Sequence, residues 1–378
     1  MTTGRAVSRR RFVGSVALGS AGLSSIDLWA QVRASDAPPP AVDGYDALVK
    51  LSANENNWGP SPAVMTAMTK AFAYANRYSY PDGDVVKAIA AHHGVAADHI
   101  LLGAGSGELL DAAGSALLSG GKKVLGAEPT FGAVYQHATA LRSEGITRPL
   151  TKDYQQDIDA LLEAAQQHAN ELGFVYLCNP NNPTGVIVPS KDVRRLLDGL
   201  PAGLPVLIDE AYFHYVDHAQ YATAVPYVQD GRPVIVTRTF SKIAALAGVR
   251  LGYAIAAPAT ITRMKAYTTG GVSALAKWGG VAALSDTAHA ATIKRETIAL
   301  RQKTIAAVAA RGYQSIPSET NFFMVHIKRE VGPVIEAFRK LNVAVGRPFP
   351  PMTQHLRVSV GTEKDMDAFV AAFTKVMA

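Results

Sequence analysis

The sequence predicts an α/β protein organised around a mostly parallel sheet covered by helices. Short apolar runs recur along the body with helical patterns between them. The runs are continuously apolar rather than alternating, as expected of strands buried on both faces. In order, residues 100–103 read as a strand ending at glycines, and 106–118 follow with helical apolar spacing. Residues 122–127 are the next strand, 158–169 a helix, 174–177 a strand and 192–200 a helix. Strands at 206–209, 234–237 and 251–255 complete the pattern. Sites in such sheets form beyond the carboxyl ends of the strands.

Composition narrows the class. The chain has 378 residues, 48% hydrophobic and 18% charged, which excludes a disordered chain. The one cysteine, Cys178, excludes a disulfide framework, an iron–sulfur cluster and a cysteine-based zinc site. The ten histidines form no HExxH-type pair, so no metal is expected, and His92-His93 read as an exposed helix end. The net charge of +6 invites nucleic acid, but the first 34 residues hold five arginines against Asp27. The rest of the chain is nearly balanced and lacks the basic stripe that phosphate backbones require.

The N-terminus reads as an address. Ser8-Arg9-Arg10-Arg11-Phe12 precedes a mild apolar stretch from Val13 to Gly19, an order that resembles a twin-arginine export leader. Ser, Gly and Asp27 interrupt the stretch, so it makes a poor membrane span. Small residues place cleavage near 34–37, and Pro38-Pro39-Pro40 then reads as a stiff spacer. The expected location is periplasmic or exported, with the twin-arginine machinery as partner, or cytoplasmic if the segment is only a basic tail.

Five segments lie where chemistry is expected. Gly103-Ala104-Gly105-Ser106-Gly107-Glu108 fits a phosphate cradle at a helix N-terminus, or a plain turn capped by Ser106. Asn179-Pro180-Asn181-Asn182-Pro183-Thr184-Gly185 is a braced polar loop after a strand, either amide-donating or merely rigid. Asp209-Glu210-Ala211-Tyr212 puts an acid at the end of a buried strand, where it needs a cation or caps a helix. Thr239-Phe240-Ser241-Lys242, with Arg250 eight residues on, offers a lysine able to act as an amine nucleophile; taken alone it reads as an ordinary surface lysine. Arg357 sits in a strand-like alternation suited to bidentate carboxylate binding, or on an exposed edge. Together, a phosphate cradle, a buried acid, a lysine and arginines fit pyridoxal 5′-phosphate.

In order along the chain, these motifs resemble the class I/II aminotransferases of pyridoxal-phosphate fold type I. The histidinol-phosphate aminotransferase branch is similar in Leu51-Ser52-Ala53-Asn54-Glu55-Asn56, Tyr80-Pro81-Asp82, Pro129-Thr130-Phe131-Gly132, 246–252 and 357–362. The resemblance covers residues 45–375 and implies a second, smaller α+β domain. Its expected layout is a leader at 1–37, an N-terminal part of the small domain at 38–70, a large cofactor domain at 71–275 and the rest of the small domain at 276–378.

The resemblance also implies roles. Lys242 would form a Schiff base with the cofactor and shuttle a proton, Asp209 would pair with its ring nitrogen, and Asn182 and Tyr212 would bind its phenolic oxygen. Phe131 would stack on the ring. Ser106, Gly107, Thr239, Ser241 and Arg250 would bind the phosphate, joined by Tyr80 from a neighbouring subunit, so a homodimer with shared sites is implied. Arg357 would clamp the substrate carboxylate, with Asn54, Trp58, Asn182 and Arg347 in the substrate pocket. Phe131 and Trp58 stand where that branch commonly has tyrosine. The expected reaction moves an amino group from an L-amino acid, histidinol-phosphate-like or other, to a 2-oxo acid such as 2-oxoglutarate. A lyase or decarboxylase on the same scaffold, a non-catalytic periplasmic binding protein and a nucleic-acid-binding regulator are the rivals.

Overall fold

The computed structural model describes residues 44–378; the expected leader lies outside them. Among the described residues no helix is long and apolar enough to cross a membrane. Residues Leu48–Ala378 cluster as one compact unit.

Among the described residues twelve strands form three sheets: β1 (Val49–Leu51), β2 (Ile100–Gly103), β3 (Lys123–Glu128), β4 (Gly145–Pro149), β5 (Leu172–Cys178), β6 (Val206–Asp209), β7 (Val234–Thr239), β8 (Gly252–Ile255), β9 (Gln314–Ser315), β10 (Phe322–His326), β11 (Val343–Val345) and β12 (His355–Ser359). The main sheet has seven strands in the order β2-β8-β7-β6-β5-β3-β4. Its β4-β3-β5-β6-β7 part is parallel, and β8 runs antiparallel to both β7 and β2. The expected mostly parallel, helix-covered sheet is therefore present, and two separate hydrophobic clusters pack its two faces.

Burial explains the run-like strands. Every residue of β6, β7 and β8 is buried, so their sequences need no alternation. The helices between them obey local rules. Asp157 caps Ile158–Gln167 by accepting from the Ala160 amide, and Ile158, Leu161, Ala164 and Ala165 form its buried stripe. Ser61 caps Pro62–Ala71, where proline sits in the first turn without losing a needed donor. Thr362 and Asp365 form a reciprocal capping box on Glu363–Met377.

The C-terminal region builds its own core. Strands β12-β10-β9 form an antiparallel sheet, and β1 pairs in parallel with β11. Phe323, Phe338, Phe369 and Phe373 cluster beneath them. One detail corrects the sequence reading. His93 is not a free helix end: its Nε2 lies 2.9 Å from the Tyr253 hydroxyl, and burial, then nearby Arg238, pushes its pKa down to about 3.

Candidate active site

The carboxyl ends of β5, β6 and β7, together with the turn after β2, open on one cavity of about 340 Å³. Ser106, Gly107, Phe131, Asn182, Asp209, Tyr212, Thr239, Ser241, Lys242, Arg250, Arg347, Arg357 and Asn54 all line it.

One end of the cavity is an anion cradle. Gly105 has φ +82°, and a side chain there would run into the Arg250 guanidinium, so the turn requires glycine. The helix Ser106–Leu117 then starts with no side-chain cap, leaving backbone N–H groups for a ligand. Gly252 on β8 permits close approach; a Cβ would lie 2.5 Å from the Ser106 nitrogen. Thr239 Oγ1 donates to Ser241 Oγ at 2.8 Å and accepts from the Ser241 amide at 3.0 Å. Arg250 is held over the turn by the carbonyls of Ala247 and Ala104, at 2.9 and 3.0 Å.

The middle holds the titratable pair. Asp209 is 2% exposed and accepts from Thr237 Oγ1 at 3.1 Å. It makes no ion pair among the described residues, and burial raises its pKa to about 6. Lys242 Nζ donates to the carbonyls of Asn54 and Ala53, at 3.0 and 3.3 Å. Burial, then the Arg357 charge, lowers the Lys242 pKa to about 8. The Tyr212 hydroxyl accepts from Asn54 Nδ2 at 3.1 Å and Asn182 Nδ2 at 3.4 Å, and burial raises its pKa.

The other end is aromatic and cationic. Arg357 is 6% exposed, not an edge-strand surface residue. Its Nη1 donates to Asn182 Oδ1 at 2.7 Å and its Nη2 to the Ser52 carbonyl at 2.6 Å, while its buried Nε has no partner. Phe349 has two guanidiniums on its ring, Arg357 at 4.5 Å and Arg347 at 4.3 Å from the ring centre. Phe131 forms the partly exposed wall.

The loop after β5 shows why its asparagines are not equivalent. Asn179 bridges to Val188 through both its amide and carbonyl groups, and Asn181 binds Pro129, Thr130 and Thr184. Those two brace the loop, and Asn182 is left to face the cavity. Trp58 lies elsewhere than expected, and Tyr80, expected to serve a neighbouring subunit, is outside its own chain's cavity. Trp58 packs half-buried behind Tyr212 and Phe322 instead of lining the cavity. Tyr80 donates to the Val272 carbonyl at 2.9 Å and stacks near Tyr74, beside a surface groove that Trp278 also lines. Sequence reasoning missed Thr130, Ala211, Ala247 and Phe349 as cavity residues. Phe349, two residues past Arg347, carried no motif of its own.

Comparison with known proteins matches these features. Residues 46–373 match the family model for aminotransferase class I and II. A histidinol-phosphate aminotransferase of Moorella thermoacetica is 33% identical over 343 residues, covering 89% of this chain and 87% of that one. An aromatic amino acid aminotransferase of Rhodococcus jostii is 34% identical, covering 88% and 92%. The crystal structure of histidinol-phosphate aminotransferase from Sinorhizobium meliloti, in complex with pyridoxal-5′-phosphate, superposes with a TM-score of 0.81 at 26% identity, covering 87% of this chain and 90% of that one. The chain belongs to the class I and II aminotransferases.

Proposed function

We propose that this aminotransferase uses pyridoxal 5′-phosphate to move an amino group from an L-amino acid to a 2-oxo acid such as 2-oxoglutarate. The observation that carries the reading is Asp209, a buried carboxyl without an ion pair, opening on the same cavity as Lys242 and the anion cradle. A cationic ring nitrogen is the partner such an acid lacks. The cradle of Ser106, Gly107, Thr239, Ser241 and Arg250 suits the phosphate. When bound, the cofactor supplies an aldehyde for amine capture and a ring that accepts electrons from the substrate α-carbon.

The chain's own residues supply the rest. Lys242, with its pKa near 8, stands poised to capture the cofactor and to carry a proton on Nζ. Tyr212 and Asn182 line the same cavity and would hydrogen-bond the cofactor's phenolic oxygen, and Phe131 would limit the ring's movement. Arg357 orients the donor's anionic group; Asn182 and the Ser52 carbonyl fix its fork before substrate arrives. The aromatic and cationic far end favours a donor that joins a flat ring to an anionic group. Phe131 offers an exposed ring, and Arg347 stands at the rim for a second anion.

The test is the visible absorbance of the holoprotein titrated with amino donors, including histidinol phosphate and aromatic amino acids. Bleaching by a donor and recovery with 2-oxoglutarate establish transamination. Turnover that needs no oxo acid would instead mark a lyase.

We also infer a homodimer with shared sites and export through the leader at 1–37. Tyr80 lies outside the cavity of its own chain, which supports its service to a neighbour's. Sedimentation, and recovery of activity on mixing Tyr80→Phe with Lys242→Ala subunits, test the first. Fractionation of cells expressing the full chain and an Arg10→Lys/Arg11→Lys variant tests the second; equal periplasmic yield defeats it.

A further inference from the structure

A second charged group lies directly behind the site. Along β7 the side chains alternate: Thr237 bonds Asp209, Thr239 lines the cavity, and Arg238 between them points to the rear face. Glu210, the residue after Asp209, meets it there. Arg238 is 2% exposed and Glu210 1%. Glu210 Oε2 accepts from Arg238 Nη2 at 2.7 Å and Nε at 3.1 Å, and Oε1 accepts from the Ala224 amide at 2.7 Å. Arg238 Nη2 also donates to Thr223 Oγ1 at 2.6 Å. Its Nη1 lies 3.3 Å from the His93 ring nitrogens, and His93 reaches the Tyr253 hydroxyl. The guanidinium sits 3.6 Å from the centre of the Phe213 ring.

Stability alone is a weak reason for this arrangement. Burying both charges is costly, and an apolar pair of similar volume is often as stable or more so. What the network does have is position. Each of its strand-end members is adjacent in sequence to a residue the cavity needs: Glu210 to Asp209, Arg238 to Thr239, Tyr253 to Gly252, where β8 approaches the Ser106 amide. The Glu210 amide also donates to the Thr237 carbonyl at 2.9 Å, extending the β6–β7 ladder one residue past the strand.

We propose that Glu210 and Arg238 are a positioning pair, whose fork on the rear face sets the register and spacing with which β6, β7 and β8 present Asp209, Thr239 and the cradle on the front. Neither touches the cofactor; both act through their neighbours. The idea rests on the cofactor reading above.

The test is the double variant Glu210→Leu/Arg238→Met, which removes both charges and keeps the volume. Three quantities are read: the thermal midpoint without cofactor, the dissociation constant for pyridoxal phosphate by equilibrium dialysis, and the visible circular dichroism of the bound cofactor. The expected result is a midpoint at or above wild type, a dissociation constant raised at least about tenfold, and a weakened dichroic band, because small misplacements of site groups are expensive. Wild-type affinity and dichroism in the double variant overturn the proposal. Should that variant fail to fold, Arg238→Lys keeps the charge and loses the fork; it is expected to weaken binding too, and unchanged binding there is equally fatal. A wild-type protein that takes up no pyridoxal phosphate overturns the cofactor reading and this pairing with it.

Discussion

Asp209, Thr239, Ser241 and Ser106 reach the cavity from strand ends and turns of one seven-stranded sheet, whereas Asn54, Arg347, Phe349 and Arg357 come from the two smaller sheets or the chain beside them. The first group is local: Thr239, Ser241 and Lys242 lie within one turn, and Asp209 bonds Thr237 on the neighbouring strand. The second is long-range. Asn54 bonds Ser359, 305 residues away, and Arg357 bonds Asn182, 175 residues away. A cofactor end built by one rigid sheet and a substrate end closed by distant segments should respond differently to mutation. Losses at the first should strike chemistry and cofactor retention. Losses at the second should strike donor selection.

The largest effect is expected from Lys242→Ala. Removing the nucleophile and proton carrier should lower kcat by roughly 10⁴-fold or more, measured in steady state, and abolish borohydride-trapped cofactor in mass spectra. Residual turnover within tenfold of wild type would remove Lys242 from the chemistry.

Asp209→Asn comes next and separates function from stability. The folded carboxyl, with its pKa near 6, holds a proton that the unfolded chain has already released, so apo stability falls as pH rises from about 4 through 6. Above that window the penalty is complete, on the order of 2–3 kcal/mol at most. Asparagine removes it. Apo Asp209→Asn should therefore melt higher than wild type at pH 7, while kcat falls about 10²–10³-fold for want of the charge. A lower melting point at pH 7 would show that Asp209 is already well partnered without cofactor.

Lys242 extends the same logic with the opposite charge. Its folded pKa is depressed to about 8, so the unfolded chain binds more protons between about pH 8 and 10.5. Apo wild type should gain stability relative to Lys242→Ala across that window, by up to about 3 kcal/mol. Denaturant melts of both proteins at pH 7.5 and 10 check this; parallel pH profiles would contradict it.

At the substrate end, Arg357→Lys should lower kcat/KM for the donor about 10²-fold, because the ammonium cannot reproduce the fork, while pyridoxal phosphate affinity stays unchanged. Loss of cofactor affinity here would erase the contrast between the two ends. The smallest change is expected for Arg347→Ala. Arg347 is exposed at the rim and stacked on Phe349, so the loss should stay within about tenfold and fall mainly on donors with a distal anion. A uniform loss across donors would assign Arg347 to packing.

The two ends were also unequally legible. Apolar runs closing in Gly103, Asp209 and Thr237 mark both the main strands and the edge of the sheet where chemistry collects, because buried strands are mostly apolar until they leave the core. Strands β4, β9 and β11 carry no such run; β4 and β9 are at most partly buried, and β9 and β11 are two and three residues long. Arg357 was recognisable as a candidate, but its alternating strand, taken alone, fitted an exposed edge better. Only the packing of β12 against β10, and the segment around Ser52, buries it.

Sequence alone determined the family, the main sheet and most of the polar residues that line the cavity, since each depends on a backbone geometry that nearby residues impose: a glycine turn, a braced loop, a strand end. Tertiary structure alone decided that Asn54 and Ser52 hold Lys242 and Arg357, that Phe349 carries two guanidiniums on its ring, that Trp58 stands away from this cavity, and that Glu210 and Arg238 are buried behind it. Those contacts join residues far apart in the chain, and no local pattern encodes a partner hundreds of positions away. Burial then shifts the charge states of Asp209 and Lys242, and burial is a property of the packed whole.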